Sequence, residues 1–388
     1  MAALFEEENT HMKRRDFLAA APALLAPFAL AQSDRPPIRI GCIGVGNRGH
    51  SHVETILRLP GVAIGAICDI DPKHLELAQS RVVGAGQPKP EGYTEWKRLL
   101  ERRDIDAVVA ALPIDLHAAL YLDVIAAGKD LYAEKPVALT PADCDAVLAA
   151  AGKTDRIVQI GFQRRADPKI IATIGRIREG EIGEIVEGRI LWSNAYGPLG
   201  GWFGLRRRSG DWMVEQAVHN WDVINWAVRS RPVSAIGLGR SDLFRGEPVV
   251  VDTLCKIKAV QPDRDITDYY SGAVQFENGV IVSIVHSWAA PDCFNEEYTR
   301  LIGTRGGVDI NSGTFSYRRD LNLPDRPGVS ATNEERDTAS VQAFLDSVRT
   351  RKPPVANLEH GRDALLLCLL VREAVYRRKL VTMKELVG

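Results

Sequence analysis

The sequence predicts an α/β protein in two parts: a doubly wound parallel sheet, then an α+β domain with a largely antiparallel sheet. Two patterns support this prediction. Between residues 37 and 135, apolar strand-like segments alternate with helix-like segments, which is typical of a parallel sheet with helices on both faces. Between residues 232 and 318, strand-like segments follow one another directly, and Asn278-Gly279 predicts a tight hairpin turn between two of them.

The first domain is expected over residues 37–160 and contains the most regular part of the chain. Its strands are predicted at 38–44, 62–69, 106–112 and 130–133, with a further strand at 157–162 across the boundary. Its helices are predicted at 48–59, 72–82, 94–103, 115–128 and 141–152. Strand and helix therefore alternate through the whole domain, as a doubly wound fold requires.

The second domain is expected over residues 161–388. Its strands are predicted at 184–193, 233–239, 249–259, 267–277, 280–288 and 298–303. Its helices are predicted at 167–178, 211–229, 338–350 and 359–377. The polar stretch 320–337 contains two prolines and is predicted to form a surface loop.

Composition excludes several classes of function. The chain of 388 residues has a net charge of −1, so no strongly basic surface for nucleic acid is expected. Its six cysteines form neither a C-x-x-C pair nor a zinc-type cluster, and no structural metal is predicted. Cys42 and Cys68 fall in predicted strands, where cysteine acts as a small apolar residue.

Residues 1–36 resemble a targeting segment. Arg14-Arg15 precedes an apolar stretch at 17–30, and small residues suit cleavage after Ala31. This is similar to a twin-arginine signal, and it predicts a periplasmic or otherwise exported protein that engages the twin-arginine export machinery. Such systems carry folded proteins, so a cofactor would be taken up before export and held tightly. An uncleaved apolar anchor remains the alternative.

A glycine-spaced turn follows the first predicted strand. Gly44, Gly46 and Gly49 give the spacing G-x-G-x-x-G, and Asp69 ends the second strand. This context is typical of a Rossmann dinucleotide-binding domain, in which a helix N-terminus receives the pyrophosphate. Asp69 is expected to accept hydrogen bonds from the adenosine ribose and to repel a 2′-phosphate, which favours NAD over NADP. A role for Asp69 in a turn or helix cap stays open.

Two further segments carry candidate catalytic groups. Lys135 follows the strand 130–133, at the edge where such sheets bind ligands, and could stabilise charge on a substrate oxygen. Taken alone, Lys135 would be better explained as a solvated loop lysine. Glu215, His219 and Asp222 have the spacing of one helix face, where carboxylates would fix the histidine tautomer and raise its basicity. A solvated polar face is the alternative.

Together these segments resemble the Gfo/Idh/MocA family of glucose–fructose oxidoreductase and inositol dehydrogenase. The resemblance covers nearly all of residues 37–385. It rests on the glycine turn, Asp69, Pro113 with His117, Glu134-Lys135-Pro136 and the pattern carboxylate-x3-His-x2-Asp. It implies cofactor binding by Gly44, Gly46, Asn47, Arg48, Gly49, Asp69, Pro113, His117, Glu134 and Lys135. A homo-oligomer formed through the open sheet face is expected by family analogy.

The same resemblance implies that Lys135 and His219 are the catalytic pair of a sugar or polyol dehydrogenase. Glu215 stands where the family has aspartate, and Ala217 where it has glycine. The residues predicted to line the substrate side are Gln163, Arg164, Arg165, Trp212 and Asp222. Trp192, Trp202 and Trp212 are candidates to stack on a sugar face, with burial in the core as the equal alternative.

Three functions follow as hypotheses. The first is an exported oxidoreductase that moves a hydride between a sugar or polyol hydroxyl and the nicotinamide, with His219 as general base, Lys135 stabilising the alkoxide and Glu215 tuning Lys135. The second is an NAD-dependent, redox-neutral glycoside hydrolase that oxidises a sugar transiently and eliminates the aglycone. The third is a non-catalytic protein that binds a sugar or nucleotide, against which the presence of both Lys135 and His219 argues.

Overall fold

The structure is a computed structural model that describes residues 36–244, 246–250, 257–258 and 261–388, without the side chains of 250, 257 and 258. The predicted twin-arginine segment (residues 1–35) and Cys255 lie outside the described residues. None of the helices in the described part of the chain is long and apolar enough to cross a membrane.

A six-stranded parallel sheet forms the first half of the fold, in the order β3-β2-β1-β4-β5-β6. Its strands are β1 (Ile38–Ile43), β2 (Val62–Cys68), β3 (Glu91–Tyr93), β4 (Ala107–Ala110), β5 (Asp130–Ala133) and β6 (Val158–Ile160). Its helices are α1 (Asn47–Leu57), α2 (Pro72–Gly84), α3 (Trp96–Leu100), α4 (His117–Ala126) and α5 (Pro141–Ala151). This confirms the predicted Rossmann topology, in which strand order reverses between β1 and β4 and opens a ligand crevice.

An eight-stranded mixed sheet forms the second half, in the order β15-β14-β13-β7-β12-β11-β8-β16. Its strands are β7 (Ile185–Ser193), β8 (Pro232–Arg240), β11 (Tyr269–Phe276), β12 (Ile281–Ser287), β13 (Glu296–Gly303), β14 (Gly306–Asp309), β15 (Thr314–Tyr317) and β16 (Val381–Thr382). Only the pair β7–β12 is parallel, so the prediction of a largely antiparallel sheet is confirmed.

Seven helices lie in the described part of the second half, and some of them, above all the long helix near the C-terminus, pack on this second sheet. They are α6 (Pro168–Arg178), α7 (Arg206–Ser209), α8 (Trp212–Glu215), α9 (Val218–Val228), α10 (Asn333–Thr350), α11 (Leu358–Arg377) and α12 (Met383–Val387). A short antiparallel pair, β9 (Val249–Val250) with β10 (Ile257–Lys258), lies within the predicted strand 249–259, and the residues between them lie outside the described part.

Two predicted elements need correction. The single helix expected over 211–229 is two helices, because the Ala217 N–H bonds back five residues to the Trp212 carbonyl and the next turn is tight. The loop expected over 320–337 ends early, because Thr332 and Glu335 form a capping box that starts α10 at Asn333. The polar composition of this stretch conceals the helix start.

Helix α10 packs against the Rossmann sheet although it comes from the far end of the chain. Val341, Phe344 and Leu345 are buried in the same core cluster as the side chains of β1 and β2. Tyr132 on β5 joins its hydroxyl to Ser340 at 2.9 Å and packs its ring edge-on against Phe344. The core of the first domain therefore includes residues assigned to the second, and the boundary at residue 160 remains a prediction.

Candidate active site

The glycine turn between β1 and α1 has two glycines that the fold itself requires. Gly44 adopts a φ of 75°, and a Cβ there would overlap the carbonyl oxygen of Ala111. A Cβ on Gly49 would overlap the Gly44 oxygen, since helix and strand approach closely. Gly46 differs: the nearest atom to its Cβ position would be a ring carbon of His74 at 3.4 Å. The packing leaves space above Gly46, which fits a pyrophosphate at the start of α1.

Asp69 holds this turn in place. One carboxylate oxygen accepts the Val45 N–H at 2.8 Å, and the other accepts the Asp71 N–H at 2.9 Å. Asp71 itself caps α2 by accepting the Lys73 N–H. Asp69 therefore stands at the end of β2 where the ribose contact is expected. The oxygen that binds Val45 keeps a further lone pair for it, whereas the other oxygen also faces His74 Nδ1 at 3.4 Å. The glycine turn and Asp69 therefore fit the dinucleotide NAD.

A buried network surrounds Glu134 at the end of β5. Arg48 Nε and His52 Nε2 donate to the same Glu134 oxygen at 2.8 and 2.7 Å, and the Arg48 fork also binds Asp337 on α10. Burial raises the pKa of Glu134, but the cation of Arg48 and the His52 hydrogen bond outweigh it and hold the pKa well below the usual range. Arg48 and Glu134 were predicted to bind the cofactor; in this structure their side chains bind one another, and their contact with the cofactor stays a prediction.

His117, also predicted as a cofactor contact, has both ring nitrogens engaged by the protein. Its ring is buried, with Nδ1 2.7 Å from the Pro136 carbonyl and Nε2 2.9 Å from the Leu112 carbonyl. It therefore ties the turn after β4 to the turn after β5. Pro113 opens the short 3-10 turn Ile114–Leu116 ahead of it. Asn47, the first residue of α1, is exposed.

Lys135 and Glu215 meet across the crevice. Lys135 Nζ donates to Glu215 Oε1 at 2.7 Å and to the Glu215 backbone oxygen at 2.6 Å. A lysine has three N–H donors, so one is left for a substrate oxygen. The second Glu215 oxygen is buried without a hydrogen-bond partner among the described residues. The protein therefore orders this ion pair, but among the described residues one lysine donor and one carboxylate oxygen have no hydrogen-bond partner.

His219 stands in the first turn of α9, between the rings of Phe162 and Trp192 at centroid distances of 6.1 and 6.3 Å. Burial, followed by the nearby cations of Lys135 and Arg164, holds its pKa well below 6.5. The ring is therefore neutral near pH 7 and available as a proton acceptor, but its basicity is lowered, whereas the spacing of the carboxylates predicted that it would be raised. Lys135 and Glu215 are in contact, and His219 lies close enough for the Lys135 cation to lower its pKa, although Glu215 and His219 lie on different helices.

Arg165 and Asp222 form a separate pair. Arg165 Nε lies 2.8 and 3.0 Å from the two Asp222 oxygens, and the arginine packs over Trp226. Both side chains are buried. Asp222 was predicted to share a face with Glu215 and to line the substrate side. The break before α9 removes the shared face, and Arg165 takes both oxygens, so the substrate role of this pair has no geometric support.

Arg164 points the other way, over the Trp192 ring at 5.6 Å, and one guanidinium nitrogen binds Glu297 on β13. Its second terminal nitrogen is buried without a partner among the described residues. Gln163 precedes it and makes no side-chain hydrogen bond within the part of the chain described. Trp212 is buried against Trp288, so its predicted stacking on a sugar is not direct.

Sequence reasoning missed Asp211, which positions Glu215. Asp211 adopts a φ of 77°, caps α8 through the Met213 N–H at 3.2 Å, and accepts from the Thr267 N–H at 2.8 Å and the Tyr376 hydroxyl at 2.6 Å. Burial raises its pKa. An aspartate before a helix is a capping signal, but its partners lie more than 50 residues away and leave no local pattern.

Comparison with known proteins agrees with this architecture. Residues 38–162 match the oxidoreductase family with an NAD-binding Rossmann fold, and residues 174–309 match the GFO/IDH/MocA C-terminal domain. Among curated relatives, the α-N-acetylgalactosaminidase of Shewanella oneidensis is 34% identical over 159 residues, which are 40% of this chain and 35% of that protein. A glycosyl hydrolase family 109 protein of Shewanella pealeana is 33% identical over 178 residues, which are 45% of this chain and 38% of that protein.

The chain therefore spans little more than a third of the length of the curated relatives it matches. Among solved structures, myo-inositol 2-dehydrogenase from Lactobacillus plantarum aligns with a TM-score of 0.71 and 24% identity, covering 89% of this chain and 99% of that one. An oxidoreductase domain protein from Kribbella flavida aligns with a TM-score of 0.78 and 19% identity, covering 90% and 100%. These two show the shared fold. The chain contains the NAD-binding Rossmann domain and the C-terminal domain of the Gfo/Idh/MocA oxidoreductase family, and NAD is its cofactor.

Proposed function

We propose that the protein is an NAD-dependent oxidoreductase that acts on a CH–OH group of a sugar or polyol. The observation that carries the proposal is the crevice-edge group of Lys135, Glu215 and neutral His219. It pairs a proton acceptor with a cationic hydrogen-bond donor beside the dinucleotide turn. Bound NAD supplies the hydride acceptor. Carbohydrate substrates are consistent with the names of the relatives.

The chain's own residues divide the remaining work. A His219 ring nitrogen takes the hydroxyl proton, which a neutral imidazole can do. The free N–H of Lys135 donates to the same oxygen and stabilises the negative charge that develops there. Glu215 holds the Lys135 ammonium in place, and Asp211 holds the short helix that carries Glu215.

The test is turnover of a panel of free sugars and inositols with purified protein and NAD. We expect NADH formation and an oxidised product with at least one compound, and loss of both in His219→Ala and Lys135→Ala. If no compound is oxidised by folded, NAD-loaded protein, the proposal fails. Turnover that survives both substitutions would show that other residues carry out the proton transfer and charge stabilisation.

A redox-neutral glycoside hydrolase is the second candidate, because the curated relatives include a named α-N-acetylgalactosaminidase. The unsatisfied Glu215 oxygen also supplies a carboxylate that elimination chemistry could use as an additional base. Release of nitrophenol from an aryl glycoside without net NADH would favour this function over the first. Net NADH equal to product would exclude it.

We further propose that the protein is exported folded, with NAD bound tightly enough to remain in place. The support is the twin-arginine pattern at Arg14-Arg15. Conservative replacement of both arginines by lysine should retain the protein in the cytoplasm, as cell fractionation would show. Mass analysis of the ligand released on denaturation should give NAD; an empty exported protein would contradict tight retention.

We also propose a homo-oligomer formed through the outer face of the second sheet. Ile236, Leu238 and Ile281 on this face are each more than half exposed, and apolar faces of this kind mark contact surfaces. Light scattering should give at least a dimer. Leu238→Lys should lower the mass to that of a monomer, and a wild-type monomer would refute the proposal.

A further inference from the structure

We propose that Tyr196, Trp202 and Phe203 form a subsite for a ring-shaped aglycone, either a second pyranose or an aryl group. We call these three side chains the aromatic platform. The inference rests on the proposed function, since it specifies the substrate class of the same site: glycosides in preference to free monosaccharides.

The platform lies on the segment that connects the substrate sheet to the catalytic helices. Strand β7 ends at Ser193, and residues 194–211 lead directly to α8. The strand places Trp192 beside His219, with ring centroids 6.3 Å apart. The segment therefore leaves the sheet next to the proton acceptor and returns at the helix that ends in Glu215.

Ring contacts join the platform to the catalytic pair. Tyr196 and Phe203 pack edge-on against Trp212, at centroid distances of 6.5 and 6.4 Å, and Trp202 stacks on Phe203. Trp212 is the first residue of α8 and Glu215 the last. They are separated by about 4.5 Å along the helix axis, comparable to the width of one sugar ring. A glycone at Lys135 would bring its aglycone to the platform.

The exposure of these rings distinguishes a subsite from ordinary core. Trp212 and Trp288 are buried beneath the platform and complete the packing. Tyr196 is 53% exposed, and Trp202 and Phe203 are only partly buried. Solvent-facing aromatic rings beside polar catalytic groups are typical lining of ligand sites. Their flat apolar faces suit the C–H face of a pyranose or an aryl ring.

Two of the three adjacent arginines are directed away, which favours a neutral ring. Arg208 donates to Asp115 in the turn after β4 at 2.9 Å. Arg206 places its guanidinium over the Tyr376 ring at 4.2 Å, and its backbone N–H donates to Asp265. Arg207 between them is exposed. Arg206 and Arg208 are therefore engaged with the protein, and the aromatic faces are the recognition surface.

The experiment compares methyl and phenyl glycosides of the same sugar. The pairs are both anomers of glucose, galactose, N-acetylglucosamine and N-acetylgalactosamine, and calorimetry on the NAD-loaded protein measures each Kd. We expect at least one pair in which the phenyl glycoside binds tenfold or more tightly. Trp202→Leu and Tyr196→Leu should abolish that preference while the methyl glycoside keeps its Kd. Tyr269→Leu is the matched control, an exposed tyrosine on β11 outside the site.

Each outcome decides the matter. Equal Kd values for methyl and phenyl glycosides, with turnover of a free sugar intact, overturn the platform and leave the proposed function standing. Absence of binding and turnover for every sugar overturns both. Because Tyr196 is more than half exposed, its variant folds even where Trp202→Leu does not, and an unchanged preference in folded Tyr196→Leu also overturns the platform.

Discussion

Two buried ion pairs connect the ends of the last Rossmann strands to the 211–228 part of the chain, and they do different work. Lys135 binds Glu215 with side-chain exposures of 10% and 12%. Arg165 binds Asp222 with exposures of 5% and 1%. In each pair the cation follows the end of a strand and binds a carboxylate. From the sequence we therefore predicted that both pairs belong to one site.

The two ion pairs differ in how many of their donors and acceptors already have hydrogen-bond partners. Arg165 contacts both oxygens of Asp222, and that carboxylate is buried from solvent. Lys135 retains one donor, Glu215 retains one oxygen, and His219 stands nearby as a neutral base. A pair that satisfies itself can only hold the fold together, whereas a pair left incomplete can act on a substrate. The following predictions test that division.

The largest effect is expected for Asp222→Ala. It leaves the Arg165 charge buried and uncompensated, which should lower the free energy of unfolding by about 3–5 kcal/mol. Urea denaturation measures this. Glu215→Ala should lower it by less, because Lys135 keeps its bond to the backbone oxygen of residue 215 and can reach solvent. Equal losses from the two variants would contradict the comparison.

For kcat we expect the opposite order, with the larger loss at the Lys135–Glu215 pair, as Lys135→Met should show. Loss of the donor to the developing alkoxide should reduce kcat by about 10²–10³-fold, with little change in the substrate Kd. Arg165→Met, assayed on the fraction that remains folded, should keep its kcat within about threefold, because it touches no reacting group. A large kcat loss in folded Arg165→Met would place that pair in the active site after all.

Acid stability should depend on the buried histidines near these pairs. Burial lowers the pKa of His286 to about 3, so the folded state binds fewer protons than the unfolded state below pH 6.5. Stability is therefore lost as pH falls through 6.5, by about 2 kcal/mol for His286 between about pH 7 and about pH 5. His286→Phe should reduce, by that amount, the difference between the free energies of unfolding that urea denaturation gives at these two pH values. An unchanged difference would refute the assignment.

The smallest effect is a shift in the titration of His219. Lys135 is one of the cations that hold its pKa well below 6.5. Lys135→Met should raise that pKa, which NMR of the histidine ring protons or the acid limb of kcat/KM would show. Arg165→Met combined with Asp222→Leu removes a neutral pair and should leave the titration unmoved. Movement in both variants would mean the two pairs share one electrostatic environment.

The sequence predicted the parts of the fold that are encoded locally. The Rossmann alternation, the glycine turn and the hairpin at Asn278-Gly279 depend on residues close in the chain, and the structure has them all. It also brought Lys135, Glu215 and His219 together through a resemblance. Only Lys135 follows a strand of the parallel sheet, whereas Glu215 and His219 reach the site from α8 and α9.

What the sequence could not supply depends on distant partners. Helical spacing placed Asp222 beside Glu215, but the break at Gln216 and the competition from Arg165 decide where the carboxylate points. His117 and Glu134 looked available for a cofactor, yet their acceptors and donors come from backbone and side chains up to 86 residues away. Whether a polar side chain finds all its hydrogen-bond partners depends on residues that only the fold brings close, so the nearby sequence does not show it.

The packing of α10 on the Rossmann sheet has a consequence for biosynthesis. Asp337 anchors Arg48 of the dinucleotide turn, and Phe344 closes the core beneath β1 and β5. The first domain therefore cannot complete its core until residues near 345 have left the ribosome. A nascent chain that stops at residue 160 would show an uncovered apolar sheet face, which chaperones recognise. We therefore expect the dinucleotide turn to reach its final form only after α10 has been synthesised, about 180 residues later than β6.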